Sequence, residues 1–412
     1  MEQVLERCCG LDVGQKTVAA CVRVPAPNGG REQIIRTFKT MTADLLALRD
    51  WLQAYGVTHV AMESTGVYWK PIYYALEDSF TVLLVNATHV KNVPGRKTDV
   101  ADCAWIAQLL EHGLLRASFV PPVPIRELRD VTRYRKSQIQ ERVREVNRLH
   151  KVLEDAGMKL AVVASDVLGV SGRAMLEALL HGTTDPEILA ELSRGRLRKK
   201  LPELRRALES RFGAHHRFLV GRILSHLDYL DETIEECGQR VEELMRPFAQ
   251  VIERLKTIPG VKQRTAEVIV SEIGLDMSRF PTPAHLASWA GMCPGNNESA
   301  GKRKSGKTRK GSKWLRMALI EAGQAASRAA DTALSARHRR IMRHRGYQRA
   351  VVAVGHEILV IAYCLIARGT TYHELGPTYF DRRHAERTIR RCVRTLEQLG
   401  HKVTLQPLAA VA

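Results

Sequence analysis

The feature that most constrains the fold is an uninterrupted apolar run at 80–87, FTVLLVNA. Runs that are apolar at every position are typical of strands buried in a parallel sheet. Two β-rich segments precede this run, at 8–24 and 57–64, and a segment with helical spacing follows it at 98–113. Because strands and helices alternate in this way, the sequence predicts an α/β domain over 1–124.

Charge is distributed unevenly along the 412 residues. The formal net charge is +19 and the isoelectric point is near 9.8, yet residues 1–124 hold 12 basic and 12 acidic side chains. Residues 301–349 carry 15 basic and two acidic side chains, a net charge of +13. Since charge of one sign at this density repels itself without an anionic partner, the composition predicts a nucleic-acid partner.

Helical periodicity dominates the middle of the chain. Apolar residues recur at steps of three and four in the second half of 125–250, which predicts a coiled coil or a helical hairpin. The seam consists of Leu219, Ile223, Leu227, Leu230, Ile234, Cys237, Val241 and Leu244. The segment 255–274 that follows contains IPGV, which is similar to a helix-hairpin-helix loop that grips a DNA phosphate. An ordinary helical hairpin accounts for it about equally well.

Cysteine spacing and hydropathy indicate in which cellular compartment the protein is expected and whether it is expected to enter a membrane. The eight cysteines form no CxxC or zinc-binding spacing and no secretory leader is present, which predicts reduced thiols in a cytoplasmic protein. The apolar stretch 351–367 falls short of the roughly 20 residues that cross a bilayer. It also contains His356 and Glu357, so we expect a buried helix and no membrane partner.

Four acidic residues of the first domain occur in an informative order. Asp12 lies on the first predicted strand and Glu63 ends a later one. Asp99 and Asp102 are three residues apart on one face of the next predicted helix. This order is the layout of RNase H-like nucleases, in which converging carboxylates hold two divalent metals. Each acid alone is more often a helix cap or a surface charge, but the four together in this order predict a site for Mg²⁺ or Mn²⁺.

A phosphate-loop pattern occurs at 301–308, where GKRKSGKT matches GxxxxGK[ST]. A working phosphate loop follows an apolar strand and opens a helix at its GK[ST]. Here the preceding residues are polar and turn-rich, and the next helical segment begins only near Lys313. We therefore expect no nucleotide cofactor.

Several segments together resemble one family. The segments GLDVGQKT, AMESTGVYW and KTDVADCAWIAQLL are similar to the RuvC-like domain of the DEDD insertion-sequence transposases. The later segments TIPGVKQRTAEVIVSEIG, FPTPAHLASWAGMCPG and ESAGKRKSGKTRKGSKWLR are similar to the second part of the same proteins. This family comprises bridge-RNA-guided serine recombinases, and the resemblance covers roughly residues 8–330 in the right order.

The resemblance implies a fold and a domain plan. It implies an α/β RNase H-like (RuvC-like) N-terminal domain, an α-helical coiled-coil region and a mainly α-helical basic C-terminal domain. The expected domains are a DEDD metal-nuclease domain at 1–124, helical coiled coil at 125–250, a helix-hairpin-helix-like serine transposase domain at 251–350 and a helical extension with an Arg-rich tail at 351–412.

The resemblance also implies residue roles. Asp12, Glu63, Asp99 and Asp102 take the positions of the family's four metal-binding acids. The nucleophilic serine of the family falls on Ser299, and Ser305 is the alternative because Ala300 stands where the family often has glycine. The residues expected to bind nucleic acid are Lys302, Arg303, Lys304, Lys307, Arg309, Lys310 and Lys313.

The function implied is Mg²⁺-dependent transposition through a serine–DNA phosphodiester. The partners implied are DNA (element ends or a circular donor, and target), a guide (bridge) RNA encoded by the element, and further copies of the chain in a dimer to tetramer. Two other functions remain open from the sequence. One is a metal-only, structure-specific endonuclease such as a Holliday-junction resolvase, and the other is a non-catalytic nucleic-acid-binding protein.

Overall fold

The structure is a computed structural model that divides into two compact units, Met1–Val120 and Pro121–Ala412. The residues that it describes are 3–27, 29–86, 90, 101–295, 297–383 and 385–406.

The first unit is built on one mixed five-stranded sheet. Its strands are β1 (Cys8–Val13), β2 (Thr17–Pro25), β3 (Arg31–Lys39), β4 (His59–Glu63) and β5 (Thr81–Val85). The strand order is β3-β2-β1-β4-β5, with β1, β4 and β5 parallel and with β2 antiparallel to both β1 and β3. This mixed α/β architecture is compatible with the RNase H-like domain that the sequence implies.

Helices cover both faces of this sheet. They are α1 (Thr42–Ala54), α2 (Trp69–Leu76) and α3 (Asp102–Glu111). Leu11 and Met62 on one face belong to the core formed with α1 and α2. Cys8 and Ala61 on the other face belong to the core formed with α3. Burying both faces explains why β1, β2 and β5 are apolar at most positions, whereas the edge strand β3 is mostly polar and exposed.

Residues 81–85 of the apolar run form β5, which is parallel to β4 as the sequence predicts. It lies at the edge of the sheet rather than in its interior. The backbone N–H of Ser118 donates to the carbonyl of Leu84, and Ala117 forms a bridge with Val85. The segment that ends the unit therefore covers part of this edge strand.

Strand β1 lies unusually close to α3. A Cβ added to Gly10 would lie 2.3 Å from both the amide nitrogen of Ala107 and the carbonyl oxygen of Cys103. At the end of α3, the buried Glu111 is 2.6 Å from the Nε atoms of both Arg23 and Arg31. The helix is thus held by backbone contact with β1 and by ion pairs to β2 and β3.

The second unit is mainly helical. Its first part contains α4 (Val123–Asp155), α5 (Leu160–Val163), α6 (Val170–Leu180), α7 (Pro186–Glu191), α8 (Leu201–Leu208) and α9 (Ala214–Met245). Its second part contains α10 (Ala249–Lys256), α11 (Gln263–Ile273), α12 (Pro283–Trp289), α13 (Lys313–Arg328), α14 (Ala333–Arg345), α15 (Tyr347–Arg368), α16 (Tyr379–Arg383) and α17 (Ala385–Gln398). A two-stranded hairpin, β6 (Asn297–Ser299) and β7 (Lys302–Ser305), precedes α13.

Helix α9 carries the predicted heptad seam. It packs antiparallel against α4 of the same chain, because Arg142 pairs with Asp231 while Asp155, farther along α4, contacts the earlier His216. Leu227, Leu230 and Val241 of the seam are buried, and the other seam residues are half-buried. The two helices are antiparallel neighbours but not a simple hairpin, because α5 to α8 lie between them in the chain, and a coiled coil stays a prediction.

The apolar stretch at 351–367 lies in α15, whose 22 residues make it long and apolar enough to cross a membrane by length and composition. It packs against α13 and α14. Its buried residues are Ala350, Val351, Val354, Gly355, Ile358, Leu359, Ala362 and Leu365. This burial agrees with the predicted core helix.

All eight cysteines are free thiols. Burial is the main cause that raises the pKa of Cys8 to about 11 and that of Cys21 to about 12, and it raises the pKa of Cys9 well above its usual range. Cys392, by contrast, is exposed. Protonated buried thiols are chemically inert, which fits the structural role that their packing indicates.

Candidate functional site

Two candidate acids lie side by side at one end of the sheet. β1 and β4 are parallel, and their last paired residues are Leu11 and Met62. Asp12 and Glu63 are the next residues of these two strands. Because the two strands are parallel and paired in this register, both acids lie at the carboxyl end of the strands, where ligand sites of such sheets commonly occur.

The pleat of the sheet determines which face these acids share. Gly10 contacts α3, so Asp12, two residues later, is on the α3 side. Ala61 belongs to the core formed with α3, so Glu63 is on that side too. Asp102 is the first residue of α3. Three of the four predicted acids therefore belong to elements that meet on one face of the sheet.

The charges of two of these acids, Asp12 and Asp102, influence each other. Asp12 is exposed at the strand end, yet the surrounding atoms displace enough water to raise the pKa of its carboxyl group. The negative charge of Asp102 is the second cause that raises this pKa, and a hydrogen bond from the Val13 backbone N–H opposes both. The two carboxylates are thus close enough to repel each other.

Not all four acids are brought together. Asp99 lies outside the residues that the structure describes. Within the described part of the chain, no group of three or more His, Cys, Asp or Glu side chains could hold a metal ion. The carboxylates of Asp12 and Asp102 are nevertheless hard oxygen donors whose repulsion a divalent cation would relieve, so these residues fit such a cation chemically.

The candidate serine precedes a tight turn in the second unit. Ser299 ends β6 and pairs with Lys302, so the loop of the hairpin consists of Ala300 and Gly301 alone. Both residues have positive φ, +50° at Ala300 and +72° at Gly301. Two positive φ values are the signature of the type I′ turn, which matches the natural twist of a two-residue hairpin. The alanine after Ser299 thus occupies a left-handed position that glycine would adopt at lower cost.

The predicted nucleic-acid-binding residues follow this turn. Lys302, Arg303 and Lys304 lie on β7, Lys307, Arg309 and Lys310 lie in the loop after it, and Lys313 begins α13. Lys302, Lys307, Arg309, Lys310 and Lys313 are exposed. The Lys313 ammonium lies 4.6 Å from the ring centre of Trp314, a cation–π contact. The hairpin, the loop after it and the start of α13 therefore present at least five accessible cations.

Ser305, the alternative nucleophile, has a local structural partner. It ends β7 opposite Asn297, and its Oγ accepts a hydrogen bond of 3.2 Å from the Lys307 backbone N–H. This contact is an ordinary way to stabilise the turn after a strand. The helix that a phosphate-binding loop would start at Lys307 starts instead at Lys313, as the sequence predicts.

The base of the hairpin is tightly packed. A Cβ added to Gly311 would lie 2.4 Å from the backbone nitrogen of Gly291, so the segments before and after the hairpin are in backbone contact. Arg316 from α13 donates hydrogen bonds to the Gly291 carbonyl at 3.0 Å and to Thr308 Oγ1 at 2.6 Å. The Gly295 backbone N–H donates to the Lys307 carbonyl. These contacts hold both ends of the hairpin in fixed positions.

A buried carboxylate ties this base to the helices. Glu272 on α11 is 1% exposed, and both of its oxygens accept from Arg133 on α4, at 2.7 and 2.8 Å. Ser312 Oγ donates to the same carboxylate at 2.9 Å and also accepts from the Leu315 backbone N–H as the N-cap of α13. The bidentate pair and the cap link α4, α11 and the end of the hairpin loop.

Sequence reasoning did not find this anchoring group. Arg133 and Glu272 are 139 residues apart, and each is one charged residue among many on its helix. The available signal was the position of Glu272 near the end of the apolar segment EVIVSEIG, where an acid must be buried or face solvent. No pattern in the sequence indicates its partner.

Two family models match the chain. One, a transposase model of the DEDD IS110 type, matches residues 9–158. The other, a transposase model of the IS116/IS110/IS902 family, matches residues 252–339. The first match contains all four candidate acids, and the second contains Ser299 and the basic hairpin.

Individual relatives agree with these matches. The chain is 24% identical over 399 residues to the insertion element IS110 uncharacterized 43.6 kDa protein of Streptomyces coelicolor, covering 89% of this chain and 96% of that relative. It is 24% identical over 294 residues to a transposase for insertion sequence element IS1111A of Coxiella burnetii, covering 70% of this chain and 72% of the relative. The chain therefore belongs to the IS110 family of DEDD transposases, a family of DNA-processing enzymes.

Proposed function

We propose that this transposase moves an insertion sequence by cutting and rejoining DNA through a covalent link between Ser299 and a backbone phosphate. The single observation that carries the proposal is the position of Ser299, directly before a two-residue turn whose returning strand is a run of three basic residues. A serine beside clustered cations suits attack on a phosphodiester, because the cations neutralise the charge that develops on phosphorus-bound oxygens.

The chemistry of this step is balanced without a nucleotide. The Ser299 hydroxyl oxygen forms a bond to phosphorus and gives up its proton, one phosphorus–oxygen bond to a deoxyribose breaks, and the departing oxygen takes up a proton. The phosphodiester is exchanged rather than hydrolysed, so the reverse attack by a DNA hydroxyl rejoins a strand without ATP. This expectation agrees with the absence of a working phosphate-loop pattern in the sequence.

The four acids have a separate proposed role. DEDD transposases are typically metal-dependent, and we propose that Asp12, Glu63, Asp99 and Asp102 hold Mg²⁺ or Mn²⁺. The neighbouring strand positions of Asp12 and Glu63, and the repulsion between Asp12 and Asp102, support this set. A cation bound there would stabilise negative charge on the oxygens of a phosphodiester.

The proposed partners follow from the family and from the charge. DNA is the partner that a transposase implies. We extend this to element ends or a circular donor together with a target, to a bridge RNA encoded by the element, and to a homo-oligomer of two to four chains in the cytoplasm. The net charge of +13 over residues 301–349 supports nucleic acid of either kind.

A trapping experiment tests the serine. The purified protein is incubated with Mg²⁺ and a nicked DNA substrate that cannot be rejoined, and adducts that survive denaturation are counted. We expect an adduct from the unchanged protein and from Ser305→Ala, and none from Ser299→Ala. An adduct that persists in Ser299→Ala and disappears in Ser305→Ala would move the nucleophile to Ser305.

The same assay tests the acids and the two alternative functions. Asp12→Asn should lower adduct formation by at least about a hundredfold, while the matched exposed change Asp78→Asn should leave it intact. Cleavage without any adduct would indicate a metal-only endonuclease. Binding without cleavage or adduct would indicate a non-catalytic nucleic-acid-binding protein. Co-purified nucleic acid that resists DNase and is removed by RNase would support a guide RNA.

A further inference from the structure

A second basic surface lies in the C-terminal part of the second unit, outside the hairpin. Helix α14, the segment around Phe380 and helix α17 border a cleft with a volume of about 360 Å³. The polar side chains that line it are Arg339, Arg340, Arg343, His344 and Arg391. None of the residues 302–313, which contain the predicted nucleic-acid-binding side chains, contributes to this lining. The cleft is therefore distinct from the basic surface of the hairpin.

The cleft concentrates positive charge without compensation. Among the side chains that the structure describes, its lining contains four guanidinium groups and no carboxylate. Arg343 lies four residues after Arg339 and three after Arg340 on α14, so it neighbours both on the helix surface, and Arg391 reaches the cleft from α17. Within the described part of the chain, none of these four arginines has an ion-pair partner.

Neighbouring arginines on the same elements behave differently. Arg337 on α14 lies 3.3 Å from Glu357, and Arg390 on α17 lies 3.6 Å from Glu386. Carboxylates are therefore available near these helices but do not face the cleft. Because like charges held together repel each other, a cleft of this composition is stabilised by a bound polyanion.

The walls of the cleft are held in place by the fold. The Arg337 guanidinium lies 5.4 Å from the ring centre of Phe380, which joins α14 to the segment opposite it. The Ala333 backbone N–H donates to Glu374 at 2.8 Å, and the Thr332 side chain caps the start of α14. The arginines of α14 are thus presented from a helix fixed at its N-terminus, and Phe380 provides an apolar floor.

We propose that this cleft binds the sugar–phosphate backbone of a nucleic acid, as a second contact beyond the hairpin. Guanidinium groups recognise phosphate oxygens by paired hydrogen bonds, and four of them neutralise more charge than one phosphate carries, which favours a chain of phosphates. Duplex DNA and structured RNA share this chemistry. The site goes beyond the proposed function, which assigns nucleic-acid binding only to 302–313.

Binding measurements over a series of salt concentrations test this site. The full-length protein and the triple variant Arg339→Ala, Arg340→Ala, Arg343→Ala are titrated against labelled duplex DNA and, separately, a labelled RNA hairpin. Each lost phosphate contact lowers the slope of log affinity against log salt by about 0.9 for duplex DNA and somewhat less for RNA. We expect the slope to fall by about two to three and the affinity near 0.15 M salt to fall at least about tenfold.

Single variants supply controls for position and folding. Arg343→Ala should weaken binding, whereas Arg345→Ala removes an equal charge from the same helix but outside the cleft lining and should change the affinity by less than about twofold. Arg391→Ala should weaken binding from the other wall. If the triple variant unfolds, this change on α17 still tests the cleft.

The two probes separate the sources of the phosphate. A loss confined to duplex DNA assigns the cleft to DNA, a loss confined to the hairpin assigns it to RNA, and a loss with both assigns it to the shared backbone. Unchanged affinity and slope with both probes, or equal losses in Arg343→Ala and Arg345→Ala, overturns the proposal. Binding is measured without catalysis, so failure of the serine mechanism is seen separately, in the trapping assay.

Discussion

The two units hold their candidate reactive groups in different ways. In the first unit, Asp12 and Glu63 belong to central strands of the sheet, and the same strands supply core residues on both faces. In the second unit, Ser299 lies on a hairpin that is connected to the core through polar contacts at its base, chiefly the carboxylate of Glu272. The candidate acids lie on strands that form a core, whereas the candidate serine lies on a hairpin that is attached to a core.

This difference predicts different responses to mutation. A change that loosens the sheet should both displace the two acids and destabilise the first unit, because the strands that carry the acids also supply the core residues. A change at the tip of the hairpin should affect the serine with little cost to folding. A change at the anchor of the hairpin should affect both, and it gives the largest expected effect.

Glu272→Gln should destabilise the protein by about 1.5–3 kcal/mol, because it removes the buried charge that accepts two hydrogen bonds from the half-buried Arg133 and one from Ser312. Urea unfolding of the full chain measures this free energy. Glu321→Gln is the matched control, since this exposed acid also pairs with a basic residue of α4, Lys136, at 2.7 Å. An exposed pair contributes about 0–1 kcal/mol, so equal effects of the two variants would remove the distinction between anchor and surface.

Gly10→Ala tests the sheet. The added methyl group would overlap the backbone of α3, so we expect a loss of about 1–3 kcal/mol in the stability of the first unit. Cleavage that depends on Asp12 should fall with it, while nucleic-acid binding by the second unit should persist. Gly238→Ala on α9 is the control. No atom lies within 4 Å of its added Cβ, so this change should stabilise the helix by about 0.5–1 kcal/mol.

Ala300→Gly tests the tip of the hairpin. Glycine relieves the left-handed strain at this position but gains freedom in the unfolded chain, so the net change in stability should stay within about 1 kcal/mol. The serine adduct should form as before. Ala300→Val places a β-branched side chain at positive φ and should lower adduct formation with little change in overall stability. A large loss of stability from Ala300→Val would mean that the tip is coupled to the core.

Thiol labelling should perturb the protein least of these tests. It compares how accessible the cysteines of the two units are to a reagent in solution. At pH 7 iodoacetamide should modify Cys392, which is exposed. It should spare Cys8 and Cys21, whose pKa values of about 11 and about 12 leave almost no thiolate. Mass spectrometry of the digested protein locates the label. Rapid labelling of Cys8 in the native protein would show that the sheet opens readily.

The sequence predicts the first unit better than the second. Alternating strand and helix signals indicate the α/β class, and the position of Asp12 and Glu63 near the ends of strands follows from local patterns. Strand β3 lies outside the strands that the sequence predicts. The strand order that places β5 at the edge depends on pairings of β1, β4 and β5, which are distant in sequence, and no local pattern encodes it.

The candidate site of the second unit shows the same limit more strongly. The basic composition around Ser299 is visible in the sequence, and so is the start of α13 near Lys313. The role of Glu272 is not visible, because it depends on Arg133 and Ser312 arriving from two other parts of the chain. Buried ion pairs are formed by tertiary structure, and single-sequence patterns do not indicate which charges meet.

The arrangement of the hairpin base also bears on how this protein can be engineered. Arg316 and Glu272, which hold the base, lie outside the turn and the basic strand. The basic side chains between Lys302 and Lys310 can therefore be substituted as a group, while the contacts of Arg316 and Glu272 stay unchanged. Such variants would separate nucleic-acid preference from stability within one scaffold.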